Sequence, residues 1–312
     1  MKRLTTLACA AVIALTASPA LAEWAPKGPI NFWIGFGAGG GTDTQARALA
    51  EELEALKGWR IIPENKAGSG GRVMAAQLKD APKDGQTIGL AINSTFDFPA
   101  GKNINIDDFT FLTMTAGSQM AILARADSGW KNLDDMVAAA KSGTNIVWAN
   151  WGDQVQAGAE LVARHYGINV NHLRGKGGKS AVNALVAQDA NVGWGGGVQR
   201  PLVAAGELVI LAAAEPSRLV QAPDTPTLIE RGVMGTGLGF QFLLVGPKDM
   251  DPEAAKAITE AVHTVLKNKD SKTAKFVTKQ YPPGPLFTSG DALLEQLRAN
   301  LVANQEMIEL VK

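Results

Sequence analysis

Ile30-Asn31-Phe32-Trp33-Ile34-Gly35-Phe36 runs straight into Gly37-Ala38-Gly39-Gly40-Gly41-Thr42-Asp43, and the reading of that junction decides the fold. The first seven residues form an apolar run of strand length. From Thr44 onward Ala46, Leu49, Ala50, Leu53 and Leu56 recur at helical spacing, and Gly58 supplies a stop. The glycines therefore stand between a buried strand and an amphipathic helix. Thr42 or Asp43 is expected to cap that helix, with Thr42-Asp43-Thr44-Gln45 as a capping box. A helix N-terminus presents N–H groups without intrahelical acceptors, and the helix dipole adds positive potential there. Glycine lets a ligand approach the backbone closely. The junction reads as an anion-binding loop.

Which anion it binds is decided by what surrounds it. A nucleotide-binding P-loop needs a lysine after its last glycine, and Thr42 stands there instead. Gly35, Gly37 and Gly40 satisfy the G-x-G-x-x-G spacing of a dinucleotide site, and Glu64 ends the next expected strand, where a ribose-binding acid belongs. The start of the chain argues against that reading. Lys2 and Arg3 precede an apolar stretch over 4–16 that is too short to span a bilayer, and Ala20-Leu21-Ala22 supplies a cleavage site. Residues 1–22 thus read as an export signal peptide, with a mature chain from Glu23. The leader has no twin-arginine pair, so an exported chain would meet no nicotinamide pool. A carboxylate held by loop N–H groups remains, against the plain alternative of a tight turn with no ligand.

The 312-residue chain is long enough for about two domains. Its single cysteine, Cys9, lies in the leader, so disulfides, thiol catalysis and cysteine metal sites are excluded from the mature protein. A formal net charge of zero becomes about −2 once Lys2 and Arg3 are removed, which argues against nucleic acid as a partner. Strands are expected at 60–63, 87–92, 109–115, 120–124, 146–149, 168–173, 191–195 and 209–213. Helices are expected at 72–78, 133–141, 155–166, 180–188, 252–266 and 293–310, with Asp251 capping and Pro252 at the first position of the fifth. The alternation argues for an α/β fold with mainly parallel sheets. Stretches around 115–119 and 223–235 read as crossings between two lobes. The first domain then comprises 23–118 and 229–312, the second 119–228, and the ligand cleft lies between them.

Five short patterns follow in order: Gly39-Gly40-Gly41-Thr42-Asp43 with Ala46-Arg47; Pro63-Glu64-Asn65 with Gly68, Gly70 and Gly71; Asp84-Gly85; Lys176-Gly177; and Asp224-Thr225-Pro226-Thr227 with Glu230 and Gly232. Together they resemble the substrate-binding receptors of tripartite tricarboxylate transporters, the Bug-type periplasmic receptors, over nearly the whole mature chain. The resemblance implies a two-lobed, type II periplasmic-binding-protein-like α/β fold that closes on a small organic carboxylate. It implies delivery to the membrane subunits of a transporter by a monomeric receptor, with no cofactor and no enzymatic step. It places the ligand against Gly37, Ala38, Gly39, Gly40, Gly41, Thr42 and Asp43, and against the facing loop of Trp151, Gly152, Asp153 and Gln154. Lys176 and Gly177 stand where the family has a lysine-glycine loop, and Asn93 and Ser94 follow a first-lobe strand into the expected cleft.

Departures from the family pattern are informative. Gly37-Ala38 replaces prolines that are common there, and Trp151 and Asp153 replace small residues. Trp151, being in the loop, reads as a ligand contact, which suits an aromatic or apolar ligand body. Trp148 and Trp194, at strand positions close to the cleft, read as core, with a pocket wall for an aromatic ligand as the alternative. Asp153 reads as a helix cap, with pairing to Lys179 or to a ligand ammonium as the alternatives, and Arg47 reads either as a charge lent to the site or as half of a structural salt bridge. No G-x-S-x-G elbow or H-E-x-x-H pair is present, and His165, His172 and His263 are not spaced for a metal. An exported amino-acid receptor and an exported α/β enzyme stay open as the other readings.

Overall fold

The computed structural model describes residues 24–98, 104–282 and 284–311. The expected signal peptide, its cleavage site and Cys9 lie outside the described residues. The order of elements is β1 (Ile30–Ile34), α1 (Gly41–Lys57), β2 (Ile61–Asn65), α2 (Arg72–Lys79), β3 (Thr87–Ile92), β4 (Phe109–Ser118), β5 (Ala121–Arg125), α3 (Leu133–Lys141), β6 (Ile146–Asn150) and α4 (Asp153–Tyr166). Then come β7 (Val170–Arg174), α5 (Gly178–Val186), β8 (Val192–Gly195), α6 (Arg200–Ala204), β9 (Leu208–Ala213), β10 (Phe240–Pro247), α7 (Pro252–Lys267), α8 (Lys272–Gln280) and α9 (Gly290–Glu309).

The strands form two five-stranded sheets, ordered β2-β1-β3-β10-β4 and β7-β6-β8-β5-β9. Every strand of the second sheet falls between β4 and β10 in sequence, so the chain passes from the first sheet to the second once and returns once. The sheets are mixed rather than mainly parallel. β1 runs parallel to β2 and β3, and β6 parallel to β7 and β8. β10 is antiparallel to β3 and β4, and β5 is antiparallel to β8 and β9. The exceptions are the strands at the crossings. A strand that enters from the other sheet has no crossover helix of its own to carry it round parallel to its neighbours.

Core packing follows the sequence periodicity. In α1, Ala46, Leu49, Ala50 and Leu53 are buried against the first sheet, while Leu56 points outward at 45% exposure. In the second lobe the fully buried Trp148 and Trp194 lie with ring centroids 5.3 Å apart, which makes both of them core. The N-terminus of α1 differs from the capping-box expectation. Its cap is Gly40, so Thr42 and Asp43 lie inside the first turn. Asp43 turns back instead: its Oδ2 accepts from the Gly39 N–H at 2.7 Å, and its Oδ1 accepts from Arg47 Nε and Asn65 Nδ2, both at 2.8 Å. Asp251 caps α7 as expected, accepting from the Glu253 and Ala254 N–H groups.

The sequence reading lacked β10, α6 and α8. β10 is a short apolar run, and periodicity alone does not assign such a run. α8 is rich in lysine and threonine and has few apolar residues to mark its face. The terminal helix α9 packs on β4 and also on α4, so it spans both sheets. Gln154 Nε2 donates to Asn304 Oδ1 at 2.8 Å, and Arg164 Nη1 donates to the Leu310 carbonyl at 2.7 Å.

Candidate functional site

Two helices that begin at glycine converge on one cavity of about 520 Å³ between the sheets. α1 starts at Gly41 behind Gly40, and α5 starts at Gly178 behind Gly177. No side chain caps α1, and the first turn-closing bond runs from the Thr44 N–H to the Gly40 carbonyl at 2.9 Å. The N–H groups of Gly41 and Thr42 therefore have no intrahelical acceptor and border the cavity. In the second loop Ser180 Oγ accepts from the Lys176 and Gly177 N–H groups at 2.8 and 3.1 Å, which fixes the turn into α5.

The loops approach each other closely across the cleft. A Cβ built at Gly39 would lie 2.4 Å from Lys179 Nζ, and one at Gly37 would lie 3.9 Å from Lys176 Cβ. Gly39 also needs its glycine identity for the backbone, because its φ is 70°. Lys179 thus lays a positive charge against the first glycine loop, and Lys176 lines the same cavity. Neither lysine has an ion-pair partner among the described residues, and no aspartate or glutamate lines the cavity. Besides Asn65, Ser180 and Asn183, the remaining wall is apolar and largely aromatic, with Phe36, Trp151, Phe240, Phe242 and Tyr281 as its rings. The site is a positively charged rim on an aromatic chamber.

Of the residues expected to bind ligand, Gly37, Ala38, Gly40, Gly41, Thr42, Trp151, Lys176 and Gly177 line this cavity. The others lie elsewhere for identifiable reasons. Gly39 gives its N–H to Asp43, and the Asp43 carboxylate is held inside the first lobe by Arg47 and Asn65. Asn93 Oδ1 accepts from the Gln241 N–H at 3.0 Å and so fastens the start of β10. Ser94, Gly152, Asp153 and Gln154 border a separate small recess with Arg72 and Asp97. The loop that faces the first glycine loop is therefore the one between β7 and α5, and from the 151–154 segment only Trp151 enters the cavity.

Asp153 is not a helix cap. Gly152 holds that position, and Asp153 is the first residue of α4. Its Oδ2 accepts from Arg72 Nη1 at 2.6 Å and its Oδ1 from Arg174 Nη2 at 2.8 Å. Burial works to raise the Asp153 pKa, but the hydrogen bonds from Arg72 and Arg174 outweigh it and hold the carboxyl below the usual range. Lys179 is not its partner. Arg72 belongs to α2 and Asp153 to α4, so this bridge joins the two sheets' lobes. Arg72 Nη2 also donates to the Asp97 carbonyl, and burial raises the pKa of the Asp97 side chain.

Several wall residues carried no readable signal. Tyr281 follows a helix with few apolar residues, and Phe240 and Phe242 both lie in β10, which periodicity does not mark. Val198 follows Gly196-Gly197 at the end of β8, a glycine pair whose position after a strand was the available clue. The histidines serve the scaffold: His172 lies between Asn150 Nδ2 and Glu160 Oε1, and His263 Nε2 meets Thr113 Oγ1 at 2.8 Å. Among the described residues no group of three or more His, Cys, Asp or Glu side chains could hold a metal.

Comparison with known proteins gives a consistent picture. The model of the "Tripartite tricarboxylate transporter family receptor" family matches residues 45–280. A protein of Cupriavidus necator, "UPF0065 protein in gbd 5'region", is 28% identical over 284 residues, covering 88% of this chain and 86% of that protein. The solved periplasmic binding protein BugD superposes with a TM-score of 0.81 at 22% identity, covering 92% of this chain and 98% of BugD. MatC of Rhodopseudomonas palustris with bound malate superposes at 0.79 and 22% identity, covering 91% of this chain and 99% of that structure. At such identities the two structures bear on the fold, which they share with this protein along nearly its whole length.

Proposed function

The chain belongs to the tripartite tricarboxylate transporter family of receptors, and from that premise we propose that it captures a small organic carboxylate with an aromatic or otherwise apolar body. One observation carries this reading. Two helix N-termini and two unpaired lysines converge on a single cavity whose lining contains no acid. Unsatisfied N–H groups, helix dipoles and lysine charge all favour an anion. An amino-acid ligand would bring an ammonium group, and the lining offers no carboxylate to receive it. The malate bound to MatC is a carboxylate of the same broad kind. The aromatic wall distinguishes this cleft from one suited only to small hydrophilic acids, since rings favour an apolar or π-bearing partner.

The receptor works by closure. The first lobe comprises 23–118 and 229–312 and the second 119–228; the ligand bridges them, and the Arg72–Asp153 bridge forms as they meet. The closed form is what the membrane subunits recognise. The protein acts as an exported monomer in the periplasm and performs no covalent chemistry. Among the described residues no helix is long and apolar enough to cross a membrane.

The test is a thermal-shift screen of ligand-stripped mature protein against mono-, di- and tricarboxylates, aromatic acids, amino acids and nicotinamide dinucleotides. A ligand at a hundredfold excess over its dissociation constant stabilises by about 2.7 kcal/mol, a readable shift. The expected result is a response to carboxylates, strongest for those with a ring or long apolar spacer. A response confined to amino acids or dinucleotides overturns the proposal.

A further inference from the structure

Tyr281 directly follows α8, its ring packed on Phe242 at 4.7 Å between centroids and edge-on to Phe276 at 5.8 Å. The residue is 2% exposed, and what remains open faces the cavity. Its hydroxyl lies at the cavity wall, beside the first residue of α1. A hydroxyl at the wall of the cavity can give its proton to a ligand oxygen.

Its location is specific. A Cβ built at Gly41, the first residue of α1, would lie 1.6 Å from Tyr281 Oη. The phenol oxygen thus occupies the volume that any side chain at the helix start would fill. Gly197 in the other lobe makes room for the ring, since a Cβ there would lie 2.5 Å from Tyr281 Cε1. Two glycines from the two lobes therefore accommodate one tyrosine, and its hydroxyl is delivered beside the unsatisfied N–H groups of Gly41 and Thr42. Packing alone would be served as well by phenylalanine. Burial pushes the phenol pKa up, so the group stays neutral and keeps its proton to donate.

We propose that Tyr281 is a specificity-determining residue of the cleft, whose hydroxyl donates to the ligand's carboxylate at the N-terminus of α1 while its ring and Phe242 hold the apolar carbon next to that carboxylate. This rests on the carboxylate-receptor reading given above and deepens it. The acid group is then met by neutral donors on the first lobe, peptide N–H and phenol O–H, and by lysine charge from the second lobe. The ligand class is an organic acid whose carboxylate is attached directly to an apolar or aromatic carbon.

The experiment compares wild type, Tyr281→Phe, Gly41→Ala and Gly40→Val by calorimetric titration and thermal shift, with malate, benzoate, phenylacetate and adipate as probes. The variant Tyr281→Phe keeps the ring and removes one oxygen, and its ligand-free melting temperature serves as the control for folding. Loss of one hydrogen bond to a charged acceptor should weaken the best-bound probe by about tenfold or more. Gly41→Ala should weaken it too, by displacing the hydroxyl, and adding Tyr281→Phe to Gly41→Ala should cost little more. Unchanged affinity in Tyr281→Phe, with binding still abolished in Gly40→Val, overturns the role of Tyr281 and leaves the receptor reading standing. Binding that survives Gly40→Val, or a wild type that answers no carboxylate, overturns both.

Discussion

Glu215 makes the stability of this protein depend on pH in a direction opposite to that of most surface carboxylates. It follows β9, is buried, and places Oε1 2.6 Å from the Met120 N–H it accepts from. Met120 lies at the outgoing crossing between the sheets. On the other side, a Cβ at Gly239, just before β10, would lie 2.6 Å from Glu215 Oε2. One carboxyl is therefore wedged between both passes of the chain from lobe to lobe. No basic side chain among the described residues forms an ion pair with it. Burial pushes its pKa up to about 7, although the hydrogen bond from Met120 works the other way. The unfolded chain ionises this group near 4.5. Between those values the folded protein holds a proton that the unfolded chain has released, so stability falls as pH rises from about 4.5 to about 7. At about 1.4 kcal/mol per pH unit, the span amounts to roughly 3 kcal/mol. The assay is urea unfolding of wild type and Glu215→Gln at intervals from pH 5 to pH 8. Other titrating groups, His263 with its burial-lowered pKa among them, contribute equally to both proteins and drop out of the difference. Glu215→Gln should lose the downward slope and match or exceed wild type at pH 8. Parallel pH profiles for the two proteins would refute the account, because they would mean that Glu215 titrates alike in both states.

Three further perturbations bear on the cleft. Arg72→Ala and Asp153→Asn each remove the bridge between α2 and α4, whose side chains are 19% and 35% exposed. Each should weaken ligand binding by about three- to tenfold, in line with a partly screened pair, and a double-mutant cycle that shows no coupling counts against an interlobe latch. In Gly40→Val the new side chain starts 3.2 Å from the Gly37 carbonyl and 3.8 Å from Lys179 Cβ; titration should find binding lost while circular dichroism shows the fold retained. Trp151→Ala should weaken a ring-bearing carboxylate by about 1–3 kcal/mol more than it weakens malate, and equal losses for both would return Trp151 to a packing role.

The strand-glycine-helix junction, α3, β3 and the Asp251 cap are read correctly from sequence because each rests on local rules: periodicity, a cap residue, a proline at the first turn. The same rules fail where the outcome is tertiary. β10 runs antiparallel only because the chain returns from the other lobe, and nothing local in Phe240-Gln241-Phe242 records that journey. α8 is a short, lysine-rich helix whose place is set by packing on α1 and α7, and Tyr281 follows it into the cavity wall. Gly41 and Gly197 look like ordinary turn glycines until the ring between them is seen. Asp153 has the right identity for a cap, but α4 starts one residue earlier than a cap there would need, and an arginine 81 residues away takes the carboxylate.

That competition also bears on why the proposed anion site faces α5 and not α4. Three helices that begin away from the cavity are capped by side chains: Asn132 on α3, Asp251 on α7 and Ser271 on α8. A capping oxygen occupies the N–H groups an anion would use. α1 and α5 have glycine at that position, so their donors stay free. α4 also begins behind a glycine, yet Asp153 in its first turn sets a negative charge against the positive end of its dipole. α5 carries Lys179 at the equivalent turn and no acid, so its field is reinforced. In α1 the acid Asp43 is offset by Arg47 and directed at Gly39, away from Gly41 and Thr42. Of the two second-lobe helices that open toward the first lobe, only α5 therefore presents both free donors and net positive charge. A single exchange of charge tests the point: Lys179→Asp should abolish carboxylate binding, whereas Asp153→Asn should leave the ligand preference unchanged while weakening closure.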